Sequence, residues 1–180
     1  MFTLIVLVPR RASAHCDTED GPAVADGRKA LQTGNVDYAL KWILPEGESE
    51  LRPIFDEAVK VRALGADAAE VADRYFLENM VRIHRAGEGA SYDGIKPTGT
   101  ELAPEVMAAD RAMENGDLMP LMALIPAGKR TELQRRFDKA RALTQFDVND
   151  VEAGRKYIEA YVSFYKFAEG EEYDHHHHHH

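Results

Sequence analysis

The chain has 180 residues, of which 31 are Asp or Glu and 22 are Lys or Arg, giving a net charge of −9. Nucleic acid and anionic membrane surfaces are both recognised by positively charged surfaces, so this balance argues against either partner. The single cysteine excludes an internal disulfide and a zinc site built from CxxC pairs. The chain is long enough to bury a core, and it contains no apolar run of the roughly 18 residues that a membrane-spanning helix needs.

Residues 1–14 have the character either of an export signal or of a disordered tail. The apolar run 2–8 is followed by Ala12-Ser13-Ala14, a small-residue pattern typical of signal-peptide cleavage sites. No charged residue precedes the run, and two arginines follow it instead. We expect a periplasmic or secreted protein if the segment is a signal, and a cytoplasmic one otherwise. Cleavage after Ala14 would leave His15 with a free α-amine beside its imidazole.

An internal repeat organises the remainder of the chain. Residues recur at a spacing of 82 and, after a one-residue gap, of 81, as in Pro22 and Pro104, Gly34 and Gly116, Phe55 and Phe137, Arg74 and Arg155, and Glu88 and Glu169. Such self-similarity indicates a duplicated structural unit. We expect a first helical repeat at 15–89, a linker at 90–103, a second helical repeat at 104–170, and a tail with a six-histidine tag at 171–180.

Each repeat is predicted to form four helices. A proline in the first turn and a later glycine delimit the first helix of each unit. Apolar periodicity predicts further helices at 36–43, 48–64 and 66–87, and at 117–125, 128–144 and 148–168. The same periodicity places Val59, Val61, Val71 and Tyr75 on apolar faces, and Asp147 and Asn149 are expected to cap the last helix.

No segment alternates apolar and polar residues as a half-buried strand does. The predicted fold class is therefore all-α, a tandem duplication of a four-helix unit packed into one helical bundle.

The rarest chemical groups occur in the first repeat only. His84 aligns with Tyr165, and the segment that contains His15 and Cys16 has no counterpart in the second repeat. Residues needed for packing should recur in both repeats, so those that do not recur are the better candidates for chemistry. Arg85 aligns with Lys166, and it is expected to be solvated.

His84 and Glu88 are four residues apart and share one helical face. A carboxylate at this spacing can bind the same metal ion as the imidazole, or can orient the ring from outside the ligand shell. The alternative is that His84 is an ordinary core histidine and that Glu88 is a structural helix-end residue, since Glu169 repeats it.

The segment 15–20 combines imidazole, thiol and carboxylate groups in His15, Cys16, Asp17 and Asp20. These are the donors that nickel, copper and zinc prefer. A processed terminus would add the α-amine of His15 to the same set. The alternative is that the aspartates only cap the first helix.

Four stretches, AHCDTEDGP (14–22), VRIHRAGEGA (81–90), IKPTGTE (95–101) and NDVEAGRKYIEAYVSF (149–164), resemble an uncharacterised family of exported helical proteins from bacteria and archaea. The resemblance implies the same helical fold and no established activity. The last helix of that family often carries a histidine near the position of Lys166, which this chain lacks.

A second, local resemblance concerns 15–21. His-Cys-Asp-x-x-Asp-Gly is similar to the amino-terminal hook of nickel superoxide dismutases. The resemblance implies that His15 supplies amine and imidazole ligands and that Cys16 supplies thiolate and amide ligands. The second thiolate of that family falls on Asp20, which is not a thiol, so this chain departs from the pattern at that position.

We therefore expect an exported metal-binding helical protein that holds nickel or copper, with zinc as a further option. Its candidate ligands are His15, Cys16, Asp17, Asp20, His84 and Glu88. If it is an enzyme, the expected chemistry is redox handling of a small oxygen species. The alternative is a non-enzymatic helical scaffold or a metal-sequestering module whose repeated unit forms a homo-oligomer or contacts a partner.

Overall fold

The computed structural model describes residues 14–170, with side chains from Cys16 onward. Within that range the chain forms helices and short 3₁₀ turns but no strand, so the predicted all-α fold class is confirmed. The helices are α1 (Pro22–Thr33), α2 (Asp37–Leu40), α3 (Glu48–Arg62), α4 (Ala66–Gly87), α5 (Pro104–Asn115), α6 (Met119–Leu124), α7 (Arg130–Ala142) and α8 (Val151–Ala168). Two predicted segments lie outside the described residues: positions 1–13 of the possible export signal, and the tail at 171–180.

Proline and glycine delimit α1 and α5 as predicted. Pro22 and Pro104 begin their helices, where the missing N–H would have had no helical acceptor. Gly34 and Gly116 end the two helices with φ values of 70° and 80°, a left-handed conformation that a residue without Cβ adopts without strain.

The predicted cap of the last helix is wrong. The side chain of Asp150, one residue before α8, accepts a hydrogen bond of 2.9 Å from the Ala153 backbone N–H. Asp147 instead accepts from the backbone and side-chain nitrogens of Asn149, and this turn delays the helix start. Asp150 is the cap because its carboxylate reaches an N–H three residues ahead, in the first turn of the helix.

The helices pack in the same pairwise pattern in both halves. In the first half α1 packs against α2 and α4, and α3 packs against α4. In the second half α5 packs against α6 and α8, and α7 packs against α8. Aromatic pairs support both hairpins, with ring centroids 5.3 Å apart for Phe55 and Phe76 and 5.5 Å apart for Phe137 and Phe164. This agreement is what a repeat would produce, although the duplication itself stays a prediction.

Some positions assigned to apolar faces lie on the surface. Val59 and Val61 are each 38% exposed, Val71 is 56% exposed and Tyr75 is 47% exposed. The prediction was wrong there because α3 packs mainly against α4, so only one narrow stripe of each helix is covered. No helix within residues 14–170 has the length and hydropathy that a bilayer span requires.

Arg155 on α8 connects the two halves. Its Nε donates to the carbonyl of Ile43 at 2.8 Å, and its two terminal nitrogens contact the carboxylates of Glu48 and Glu152. The hydrogen bond from Arg155 lowers the pKa of Glu48, and this effect outweighs the opposing effect of burial. The second half is thereby fixed against the start of α3.

The connection at 88–103 is not helical, and it is joined to the beginning of the described chain. The Lys96 N–H donates to the Asp17 carbonyl at 2.7 Å, and the Glu19 N–H donates to the Lys96 carbonyl at 2.9 Å. The hydroxyl of Thr98 donates to the Glu19 carboxylate at 3.1 Å. These contacts hold the amino-terminal turn (Ala14–Asp17) in place and so determine where Asp17 lies.

Gly154 marks a close approach of α8 to α2. A Cβ at this position would lie 2.8 Å from the Lys41 Cβ and 3.2 Å from a ring carbon of Phe146. We expect Gly154→Ala to lower the free energy of unfolding by about 1–2 kcal/mol, because the Lys41 Cβ cannot move without its backbone. This loss would outweigh the better helix propensity of alanine, which is worth up to about 1 kcal/mol.

Chemical denaturation of the two proteins measures this difference. Gly128→Ala is the matched control, because a Cβ there meets open space, and its stability should stay within about 0.5 kcal/mol of the parent. A Gly154→Ala protein as stable as the parent would contradict the described packing of α8 on α2.

Candidate functional site

Several predicted site residues converge where the amino-terminal turn meets the carboxyl ends of α4 and α8. Asp17 lies on the turn, His84 lies in the last turns of α4, and Glu88 directly follows α4. Lys166 reaches them from the last turn of α8. Asp17, His84 and Arg85 are 6%, 5% and 5% exposed, so the site is almost closed to solvent.

His84 has one ring nitrogen that is hydrogen-bonded and one that is not. Nδ1 is 2.8 Å from the carbonyl oxygen of Trp42, and because a carbonyl only accepts, Nδ1 is the donor. In the neutral ring Nε2 then carries a lone pair. Nε2 is buried and makes no hydrogen bond to the described residues, while Glu88 Oε2 lies 3.8 Å away. The Trp42 ring packs edge-on against the imidazole at a centroid distance of 5.7 Å.

The buried carboxylate of Asp17 and the partly buried carboxylate of Glu88 are balanced by two cations. Arg85 Nε is 3.3 Å from Asp17 Oδ2, and Arg85 Nη1 is 3.1 Å from Glu88 Oε2. The Lys166 ammonium contacts the other oxygen of Glu88 at 3.3 Å. We refer to Asp17, His84, Arg85, Glu88 and Lys166 as the charged cluster. Its ion pairs join three segments that are distant in sequence.

Burial and charge act differently on the two carboxylates. Burial raises the pKa of Asp17, and the neighbouring Arg85 only partly offsets this effect. For Glu88, burial also raises the pKa, but the nearby His84, Lys166 and Arg85 together outweigh burial and the pKa is lowered. Asp17 Oδ1 is a second buried atom that makes no hydrogen bond within the described chain.

Cys16 lies beside the charged cluster, and its side chain borders a small cavity. Burial is the main reason that the pKa of its thiol is raised, and the negative charges of Glu88 and Asp17 add to this effect. The cavity has a volume of about 10 Å³ and is also lined by Glu88, Tyr161, Tyr165 and Lys166. This is about the space that one water-sized group requires.

Four of the predicted ligands therefore lie in or beside the cluster, namely Cys16, Asp17, His84 and Glu88. Asp20 is exposed on the turn before α1, and the His15 side chain lies outside the described residues. Among the side chains from Cys16 to Gly170, no three His, Cys, Asp or Glu groups already form a set that could hold a metal ion.

The sequence did not predict that two cations lie beside Glu88. Arg85, expected to be solvated, is buried, and both Arg85 and Lys166 contact Glu88. The available signal was the predicted repeat, in which these two cations occupy matched positions. The third missed element is the Trp42 carbonyl, which orients His84. A backbone contact of this kind leaves no mark in a sequence pattern.

These features define an all-helical protein with a buried, charge-balanced cluster at one end. The chain belongs to a family of unknown function, DUF6448, whose sequence model matches residues 20–167. Membership of an uncharacterised family is thereby confirmed. No curated protein and no solved structure matches the chain. The matched range begins after Cys16, so the resemblance of 15–21 to the nickel hook stays a prediction.

The raised pKa of the Cys16 thiol makes its rate of reaction predictable. We expect the thiol to react with a disulfide reagent at least about tenfold more slowly in the folded chain than in the unfolded chain at pH 8, because a raised pKa leaves less thiolate. The folded rate should keep rising with pH above about 9.5, one unit beyond the ordinary thiol pKa, where the thiolate of the unfolded chain approaches saturation.

Absorbance of the released reagent measures both rates, and the single cysteine makes the signal unambiguous. Equal rates in the folded and unfolded chains, or a folded rate that levels off at the same pH, would contradict a shielded thiol.

Proposed function

We propose that this chain binds one transition-metal ion through His84 Nε2 and the Glu88 carboxylate, with Asp17 and Cys16 as further ligands. Nickel and copper are the favoured ions, and zinc is the third. The observation that carries the proposal is the imidazole of His84, whose Nδ1 is fixed by a backbone carbonyl while Nε2 is buried without a hydrogen bond to the described residues. Metal-binding histidines are commonly oriented in this way.

The distances support a shared ion. His84 Nε2 and Glu88 Oε2 are 3.8 Å apart, and metal bonds to imidazole nitrogen and carboxylate oxygen are about 2.0–2.2 Å long. One ion can therefore contact both atoms with little movement of α4. A buried acceptor without a partner also costs about 1–3 kcal/mol, which a bound ion would recover. Asp17 Oδ1 is also buried without a hydrogen bond within the described part of the chain.

The charges determine what else must change on binding. Without a metal, the two carboxylates are already balanced by Arg85 and Lys166. A divalent ion would add two positive charges, so we expect Cys16 to lose its proton and Lys166 to withdraw from Glu88. Thiolate ligands are deprotonated when a metal binds, even where burial disfavours the anion.

We further propose that the protein is exported and that its bound metal ion takes part in redox chemistry. The small cavity beside Cys16 supports a reactant of very few atoms, such as a small oxygen species. Nickel and copper can exchange single electrons, which zinc cannot. The α-amine of His15 would become a ligand only after cleavage behind Ala14. Metal binding by the nickel-hook arrangement therefore requires that the export signal is cleaved.

A non-enzymatic scaffold is the second candidate function. The observation that favours it is that Glu88 already has two cationic partners, so the charged cluster is balanced without a metal. Val71 and Tyr75, one turn apart on α4, are exposed and could serve self-association or a partner. In this case metal ions would leave the stability of the folded chain unchanged.

Thermal unfolding of tag-free protein tests the metal site. With the ion at about 100 times its dissociation constant, binding stabilises by about 2.7 kcal/mol. For a chain of this size we expect Tm to rise by roughly 5–10 °C and to return when a chelator is added. His84→Ala and Glu88→Gln should abolish the rise, whereas Lys166→Met should tighten binding because it removes a competitor for Glu88.

Glu169→Gln is the matched control, because Glu169 is the repeat counterpart of Glu88 and lacks a histidine four residues earlier. A second comparison uses chains that begin at Met1 and at His15, and tighter nickel binding by the shorter chain would support the amine hook. If nickel, copper and zinc all leave Tm unchanged in both chains, the metal site does not exist.

A further inference from the structure

A series of aromatic rings leads from the charged cluster toward the surface. The imidazole of His84 packs edge-on against Trp42, with ring centroids 5.7 Å apart. The centroid of Trp42 is 6.2 Å from that of Tyr161, which is 6.0 Å from that of Tyr157. Trp42 and Tyr161 are each 5% exposed, whereas Tyr157 is half-buried. The series therefore begins in the interior beside His84 and ends at a ring that solvent partly reaches.

The outer end of the series lies at an open cleft between the two halves of the fold. The cleft has a volume of about 360 Å³, within the size range of small-molecule sites, and Tyr157 is part of its lining. His84, in contrast, is 5% exposed, so a soluble partner of more than a few atoms cannot touch it. A small donor of electrons in solution can contact Tyr157 without entering the core.

The spacing of the rings suits the passage of single electrons. Indole and phenol side chains can lose one electron and recover it with their carbon skeleton unchanged. Both centroid distances between Trp42, Tyr161 and Tyr157 lie within the range of directly interacting aromatic pairs, about 4.5–7 Å. Because electron transfer slows steeply with distance, two short steps between neighbouring rings are faster than one long step.

Hydrogen bonds determine where the protons go. An oxidised phenol is a strong acid, so Tyr161 can give up an electron only if its hydroxyl proton has an acceptor. That hydroxyl donates to Asp110 at 3.2 Å, at the upper end of the range for proton transfer, about 2.6–3.2 Å. The indole N–H of Trp42 donates to Asp26 Oδ2 at 2.8 Å, and Lys41 Nζ is 2.9 Å from the same oxygen. Because Asp26 is already paired with a cation, the proton stays on the indole.

We propose that Trp42, Tyr161 and Tyr157 form an electron relay between the charged cluster and the cleft. When Trp42 has lost one electron, Tyr161 returns an electron to it and the phenol proton of Tyr161 passes to Asp110. Tyr157 then gives an electron to Tyr161 and a proton to water, while Asp110 returns its proton to Tyr161. A soluble one-electron donor of the ascorbate class restores Tyr157 by supplying one electron and one proton.

The relay deepens the proposed redox function by naming the second partner of the site. A buried site that exchanges electrons with a small oxygen species needs a soluble donor, and the relay brings that donor to the cleft. This use of the relay rests on the proposed function. The transfer between the rings does not, because it requires only Trp42, the two tyrosines and the carboxylate of Asp110.

Flash photolysis of the tag-free full chain in the presence of a chelator tests the relay. Light at the red edge of the absorption spectrum excites only indole, so the single tryptophan is the source of the ejected electron, which nitrate takes up. We expect the absorption of the Trp42 radical to decay while that of a tyrosyl radical rises. The two changes should share one rate constant that does not depend on protein concentration, because the transfer is within one chain.

Tyr161→Phe keeps the ring and removes the hydroxyl, so the Trp42 radical should form as before and the tyrosyl signal should be lost. Tyr75→Phe is the matched control and should leave the rate unchanged. Tyr75 is 47% exposed and lies nine residues before His84 on α4, about 13 Å away along the helix. Added ascorbate should shorten the life of the tyrosyl radical in proportion to its concentration, and Tyr157→Phe should remove this dependence.

Four results would each overturn the relay. They are the absence of a tyrosyl signal in the parent chain, a rate that scales with protein concentration, an unchanged tyrosyl signal in Tyr161→Phe, and an unchanged effect of ascorbate in Tyr157→Phe. Because the protein is free of metal in this experiment, failure of the relay is distinguishable from failure of the metal site, which thermal unfolding tests separately.

Discussion

The carboxylate of Glu88, held between Arg85 and Lys166, is the contact on which one whole end of the bundle depends. An ion buried without a partner costs several kcal/mol, so each charge that folding removes from water must meet an opposite one. Asp17 meets Arg85 for the same reason. These pairs require the amino-terminal turn, the end of α4 and the end of α8 to arrive together. Removing a single partner should therefore disturb all three segments.

Trp42 connects this cluster to both halves of the fold. Its backbone carbonyl orients His84, and its indole ring packs against both His84 on α4 and Tyr161 on α8. The residue occupies a fixed position because the indole N–H is held by Asp26 on α1.

Local signals in the sequence were sufficient for most of the fold. Pro22, Gly34 and their counterparts delimit helices through backbone rules alone, and α4 has the bounds that its periodicity predicted. Periodicity shows that a helix has an apolar face, but it does not show whether another element covers that face. Val71 and Tyr75 were misplaced for that reason, since α3 and α4 cover only a narrow stripe of one another.

The sequence predicted where the candidate site lies better than it predicted which residues form it. Cys16, Asp17 and His84, which the predicted repeat does not copy, lie near one another. The contact of Lys166 with Glu88 was overlooked because a charge pair between two helices has no fixed spacing in the sequence, and Arg85 was overlooked although it is only three residues before Glu88. The central claim is that Nε2 of His84 carries a buried lone pair that receives no hydrogen bond from the described residues. Nitrogen-15 NMR of tag-free chain labelled at histidine, recorded at alkaline pH, tests it with only His15 and His84 in the spectrum. The account predicts hydrogen on Nδ1 of His84 and a shift of Nε2 on addition of one equivalent of zinc. Hydrogen on Nε2, or an Nε2 resonance that zinc leaves unchanged, would contradict it.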